Sequence, residues 1–339
     1  MATICDVAKR AGVAPITVSR VINNSGNVRA ETRERVETAI QELGYVPNRL
    51  ARSLRLKRTH TLALVVTDIT NPFWTTVVRG VEDAAQGAGF NVILCNTDES
   101  EAKQGQYLDV LLEKRVDGIL LVPASSSAEP VDRVQRQNLP VVVLDRRVCS
   151  AEVDVVRGDS EEGACRLVQH LLSLGHRRIA VLSGPRDVST AEDRVSGYCR
   201  ALTEAGLEVR ADWVQYGRFS KESGYEMAQQ VLATSPRPTG LFAGNNFIAI
   251  GALRALRDGG LSVPEDISVV AFDDLMAGMA VDPFLTVVDQ PSYEMGRQAA
   301  ELLLARLSGS AGDGYQEIVL PTVLTVRRSS GQPTIAPPA

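Results

Sequence analysis

The chain has 339 residues, 44% of them hydrophobic and 23% charged, with a formal net charge of −5. That length suits two or three domains with sizeable cores. The five cysteines (Cys5, Cys95, Cys149, Cys165, Cys199) are odd in number and lack Cys-x-x-Cys spacing, and the three histidines are scattered, which argues against a disulfide framework or a metal cage. No metal or other cofactor is expected.

The opening MATICDVAKR leads straight into an amphipathic pattern, so no export signal is expected. The longest apolar runs, such as IAIGALRAL, are interrupted and short of the ~20 residues that a membrane-spanning helix needs. A soluble, cytoplasmic protein without a membrane partner follows as the expectation. The charge is unevenly placed. Residues 1–60 hold 11 Lys/Arg against 5 Asp/Glu, a net of +6, and the remainder holds 25 against 36, a net of −11. A basic head on an acidic body is the electrostatic outline of a nucleic-acid reader.

The head reads as three helices. Thr3 can cap the first, whose apolar residues Ile4, Val7, Ala8 and Ala11 share one face and which Gly12 ends. A second short helix begins after Val13-Ala14, with Pro15 at its first position and Val18, Val21 and Ile22 as its buried stripe. A third covers AETRERVETAIQELGY, with Val36, Ile40 and Leu43 as core face and Gly44 as its stop. Two short helices across a glycine-containing turn make a helix-turn-helix, whose second helix enters the DNA major groove. The residues presented are Pro15, Ile16, Thr17, Ser19 and Arg20. Arg20 suits bidentate contact with guanine, and Pro15 and Ile16 suit a thymine methyl. Thr17, Ser19 and Asn23 suit phosphates or water-bridged contacts. Thr3 is counted with these DNA-contacting residues.

The stretch DVAKRAGVAPITVSRVIN, followed by VRAETRERVETAIQELGYVPNRLARSL, resembles the LacI/GalR (lactose-repressor) family of bacterial transcription regulators, and the resemblance extends over nearly the whole chain. It implies a hinge helix in PNRLARSLRLKRTH, where the dimer's two copies push Leu54 into the minor groove while Arg49, Arg52 and Arg55 meet phosphates or the groove. A helix this short is unstable alone, so it should order only with DNA and a partner copy. Ala14 stands where the family usually has serine, a lost capping oxygen worth about 1 kcal/mol.

From residue 61 strand-like runs (TLALVVTD, NVILCN, GILLVP, VVVLD, RIAVLSG, TGLFAG, ISVVAFD) alternate with amphipathic helices, the pattern of parallel sheets covered on both faces. Residues 62–92 align with 179–209 at a constant offset of 117, bringing Gly80 onto Gly197 and Ala88-Gly89 onto Ala205-Gly206. Two doubly wound lobes should therefore face one crevice through the loops Asp68–Trp74 and Pro185–Arg194. The expected class is α/β: an all-α head (1–46), a hinge (47–60), then a body like a periplasmic sugar-binding protein. Its first lobe would take 61–160 plus 291–320 and its second 161–290 plus 321–328, with a Pro/Ser-rich disordered tail at 329–339.

In the crevice, Asn71, Phe73 and Trp74 form one wall, and Phe219 is an aromatic of the second lobe. The resemblance implies ligand contacts from Arg194, Asn245, Asp273, Asp145 and Gln290. Amides and carboxylates around an apolar floor suit a polyol, and a nucleobase also fits the aromatic pair. Asn246 stands where the family usually has aspartate, and Ala271 where it usually has glycine. Together these features describe a regulator, a repressor in most of the family, that acts as a homodimer on a pseudo-palindromic operator under control of a carbohydrate effector. A solute-binding transport protein would share the body, but the basic head opposes it. An enzyme is opposed by the lack of a glycine fingerprint, P-loop or acid/base cluster.

Overall fold

The computed structural model describes residues 2–46, 58–275 and 283–334, in two compact units, Met1–Thr59 and His60–Ala339. The first unit holds α1 (Ile4–Ala11), α2 (Pro15–Ile22) and α3 (Ala30–Glu42) around Val7, Ala8, Ala11, Val18, Val21, Val36 and Ala39. The Thr3 hydroxyl caps α1 in a reciprocal box with Asp6, and Gly12 closes that helix with φ of +66°. Pro15 opens α2 without a side-chain cap, as Ala14 has no oxygen to offer. One expectation fails here. Leu43 is exposed because it is the C-cap residue, past the last turn of α3, and Ala39 joins the core face instead. The hinge positions Arg49, Arg52, Leu54 and Arg55 lie outside the described residues.

The second unit contains two sheets of the same design. The first is ordered β11-β5-β4-β3-β1-β2, from β1 (Thr61–Val66), β2 (Asn91–Asn96), β3 (Gly118–Leu121), β4 (Val141–Leu144), β5 (Asp154–Gly158) and β11 (Glu317–Leu320). The second is β12-β10-β9-β8-β6-β7, from β6 (Ile179–Ser183), β7 (Val214–Tyr216), β8 (Gly240–Ala243), β9 (Ser268–Phe272), β10 (Thr286–Asp289) and β12 (Val323–Thr325). Alternate residues of β1 serve opposite cores. Leu62, Leu64 and Val66 meet α4 (Pro72–Gly87) and α11 (Ser292–Ser308), while Ala63 and Val65 meet α5 (Glu101–Glu113) and α6 (Glu129–Gln135). The second sheet lies between α7 (Ser160–Ser173) and α8 (Ser189–Glu204) on one face and α9 (Lys221–Leu232) and α10 (Asn246–Asp258) on the other.

The chain passes between sheets after β5, after β10 and after β11. Among the described residues every strand pair is parallel except β10 with β12. The exception follows from the route. β11 runs toward the carboxyl ends of the first sheet, and the chain enters the second from its own carboxyl edge, so β12 must run backwards.

The Gly80–Gly197 match has a physical reason. A Cβ on Gly80 would sit 2.1 Å from the Tyr293 carbonyl oxygen, and one on Gly197 would sit 2.2 Å from that of Glu161. Each glycine lets the helix that follows its lobe's first strand press against the helix that follows an interlobe crossing.

The expected disordered tail is corrected for its first part. Ser329 is fully buried, its backbone joins Phe284 and Val269, and the backbone of Gly331 bonds both His176 and Ser268. Polar Ser and Gly here satisfy buried backbone groups at the base of the second sheet, which composition alone cannot reveal. Residues 335–339 lie outside the described set.

Candidate functional site

A cleft of about 390 Å³, its open mouth included, is lined by Asp68, Asn71, Phe73, Trp74, Glu99, Asp145, Arg146, Thr190, Arg194, Phe219, Asn245 and Asp273. These residues follow the carboxyl ends of strands in both sheets. Asp68 and Asn71 come after β1, Glu99 after β2, Asp145 and Arg146 after β4; Thr190 and Arg194 follow β6, Phe219 β7, Asn245 β8 and Asp273 β9. Doubly wound sheets place ligands there, where loops diverge and helix N-termini point inward. Asn71 caps α4 by accepting from the Phe73 N–H at 3.1 Å, and Asn245 caps α10 by accepting from Ile248 at 2.8 Å. Phe219 reaches the floor because Gly184 has no side chain: a Cβ there would lie 2.2 Å from the ring.

The lining is strongly ionic, and Asp145, Arg146, Arg194 and Asp273 are all buried. Asp145 and Asp273 both adopt left-handed backbone, φ +60° and +65°, which turns each carboxylate from its strand into the cleft. Burial pushes both carboxyl pKa values up, that of Asp273 to about 6, against the pull of Arg194. Arg194 stacks on Phe272 at 3.9 Å, donates to the Gly244 carbonyl at 2.7 Å and approaches Asp273 at 3.9 Å. Arg146 holds both oxygens of Glu99 at 2.7 Å and the Pro123 carbonyl at 2.9 Å. Three buried polar atoms of the lining lack a partner among the described residues: Asp145 Oδ1, Arg146 Nε and Arg194 Nε.

Two ties bridge the lobes beside this lining. Asn71 and Asn246 exchange amide hydrogen bonds of 3.1 and 2.9 Å. Arg147 joins Asp193 at 2.6 Å and gives its backbone N–H to Ser189 at 2.7 Å. In the head, Pro15, Ile16 and Arg20 are exposed along α2, Ile16 by 54%, while Thr17 and Ser19 are half-buried. Asn23 donates back to the Ser19 carbonyl at 2.7 Å, and Thr3 is engaged by Asp6.

Residues 3–48 match the model described as bacterial regulatory proteins, lacI family, and residues 59–322 match that of periplasmic binding proteins and the sugar binding domain of the LacI family. The chain belongs to the LacI family of bacterial regulatory proteins. The HTH-type transcriptional repressor PurR of Photobacterium profundum is 38% identical over 308 residues, 91% of this chain and 92% of that protein. Among solved structures, the transcriptional regulator CelR–cellobiose complex is 37% identical, with TM-score 0.74, covering 97% of this chain and 100% of that one. The lac repressor dimer bound to operator and the anti-inducer ONPF is 30% identical, with TM-score 0.85 and coverage of 97% and 99%. With its helix-turn-helix, this LacI-family chain is a DNA-binding transcription regulator, and no helix among its described residues is long and apolar enough to cross a membrane.

Its departures from the family pattern gain a local meaning. Asn246 must donate to Asn71 Oδ1 as well as accept, and a carboxylate could only accept. Ala271 is fully buried inside β9 and lines no part of the cleft. Of the expected ligand residues, Gln290 stands apart. It is absent from the lining and donates to Asp273 Oδ1 at 2.8 Å from behind. Asp68 and Thr190 belong to the two loops expected to face the crevice, whereas Glu99 and Arg146 enter the lining without having been expected; their only sequence signal was position, two or three residues past a strand.

Proposed function

We propose that this regulator is a transcriptional repressor, acting in the cytoplasm as a homodimer on a near-palindromic operator and controlled by a small polyhydroxylated effector held between its lobes. The observation that carries this reading is one aromatic-floored cleft at the carboxyl ends of both sheets, lined by Asp145, Arg146 and Arg194, each of which also holds a buried polar atom without a partner. Hydroxyls satisfy such donors and acceptors in turn, and an aromatic face suits the apolar face of a sugar ring. The CelR–cellobiose relative supports the carbohydrate class. Phe73 and Trp74 meet edge-on, at 76° and 4.8 Å, so together they form no parallel slot for a nucleobase.

Asn71, Phe73, Trp74, Asp145, Arg194, Phe219, Asn245 and Asp273 would contact the effector, with Gln290 steadying Asp273. Pro15, Ile16, Thr17, Ser19 and Arg20 would read the major groove, with the hinge residues at the minor groove. Effector binding would bias the lobes between two arrangements through its different affinity for each. This role needs no catalytic step. A gel shift with DNA upstream of its own gene, with and without sugars and purine bases, tests the reading. Arg194→Ala should abolish the effector response while unliganded DNA binding persists. A response at unchanged sugar concentrations in that variant removes the cleft assignment.

A further inference from the structure

We propose that Glu99 sets the charge class of the effector: by holding both terminal amino groups of Arg146, it suits the pocket to an uncharged polyol and closes it to phosphorylated sugars and other anions. This rests on the cleft being the effector site, as read above.

A buried guanidinium takes a phosphate or carboxylate through its fork of parallel N–H groups. In Arg146, only 3% exposed, that fork already grips the two Glu99 oxygens, and Nη1 also serves Pro123. In Arg194, Nη1 serves Gly244, Nη2 turns toward Asp273 and the plane lies on Phe272. The Nε–H of each arginine and Oδ1 of Asp145 are buried without a partner, and Arg194 Nη2 faces the Asp273 carboxylate at 3.9 Å, a charge that an incoming anion would have to displace. Donors and acceptors mixed in this way match a hydroxyl, which both gives and receives. They do not match a phosphate dianion, which only receives. The lining carries four carboxylates against two guanidiniums, so an anion would also enter against surplus negative charge.

The turn that carries Glu99 is an independent sign of a held position. Asp98 and Glu99 are consecutive non-glycine residues in left-handed backbone, φ +52° and +57°. That conformation is disfavoured and persists only where surroundings over-determine it. Here Asn96 and Lys103 both bond the Asp98 carboxylate, at 2.6 and 2.5 Å, and the Glu99 N–H reaches the Thr67 carbonyl at 3.3 Å. The braced turn aims Glu99 at the end of Arg146.

The test is calorimetric titration of the full chain with matched pairs: ribose and ribose 5-phosphate, glucose and glucose 6-phosphate, fructose and fructose 1-phosphate. A neutral member should bind at least about 100-fold more tightly than its phosphorylated partner, and Glu99→Gln should shrink that ratio by about tenfold or more by freeing the fork. A phosphorylated member that binds as tightly as its partner, or tighter, overturns the proposal and leaves the cleft assignment standing. An unchanged ratio in a variant whose circular dichroism melt shows it folded also overturns it. Should Glu99→Gln fail to fold, the wild-type ratio alone decides. If no member of any pair binds, the carbohydrate reading falls, and the proposal with it.

Discussion

The two lobes share a strand order, a glycine-locked helix pair and an aspartate in left-handed backbone at the end of the fourth strand, yet they equip the cleft differently. The first lobe brings the Phe73–Trp74 pair and a guanidinium clamped by Glu99. The second brings Arg194 on an aromatic shelf and a carboxylate, Asp273, steadied by Gln290. Sheet order and helix packing are set by buried apolar atoms that tolerate little change. Chemistry is set by the residues just past each strand, where the backbone leaves the ladder and side chains are free to differ. Duplication of a scaffold therefore need not duplicate a site.

The likeness between lobes can be attacked first at its glycines. Gly80→Val and Gly197→Val should each destabilise the body by about 3 kcal/mol or more, because the new side chain meets a backbone carbonyl that cannot step aside. Urea denaturation of both variants would show whether the two locks are equal; a mild effect in one lobe alone would break the parallel.

The two aspartates offer the next contrast. The Asp273 pKa of about 6 lies above its ordinary value of 3.8, so the folded state binds the proton more tightly. The resulting stabilisation is complete below about pH 4 and lost as pH rises through 6. Asp273→Asn should therefore be more stable than wild type at pH 8, by about 1–3 kcal/mol in thermal melts. Effector affinity in wild type should fall as pH drops below 6, where the ionised acceptor disappears, and the variant should lose that dependence. A wild-type affinity flat from pH 8 to 5 would count against Asp273 as a ligand acceptor.

The smallest effects belong to the ties. Asn246→Ala removes a buried amide pair and should cost about 1–2 kcal/mol at any salt concentration. Arg147→Ala removes a partly exposed ion pair and should cost less than about 1 kcal/mol, fading in molar salt. Melts at two ionic strengths separate them.

Much of this was legible in the sequence. The period of apolar residues gave the head helices and seven of the strands, and Phe73, Trp74, Arg194, Asn245 and Asp273 stand in the cleft as expected. Short strands such as β7 and β12 were not visible, since three residues carry no period. Nothing in TDESE or LDRR singles out Glu99 or Arg146, and only the fold brings them together across 47 positions. Gln290 illustrates the reverse. A residue near a site in sequence logic can stand one layer behind it, supporting the group that faces the ligand. The SSGQP segment reads as loose by composition, whereas Ser329 is enclosed through bonds to distant backbone.

Gly184 carries a consequence for how such a receptor could diversify. Its missing side chain is what admits the Phe219 ring, although it is not itself among the residues lining the cleft. A glycine codon is a single nucleotide change from an alanine codon, so one mutation would evict the ring and recontour the floor while every lining residue kept its identity. Related regulators with matching binding residues could then answer different metabolites, and inventories of those residues would not reveal why.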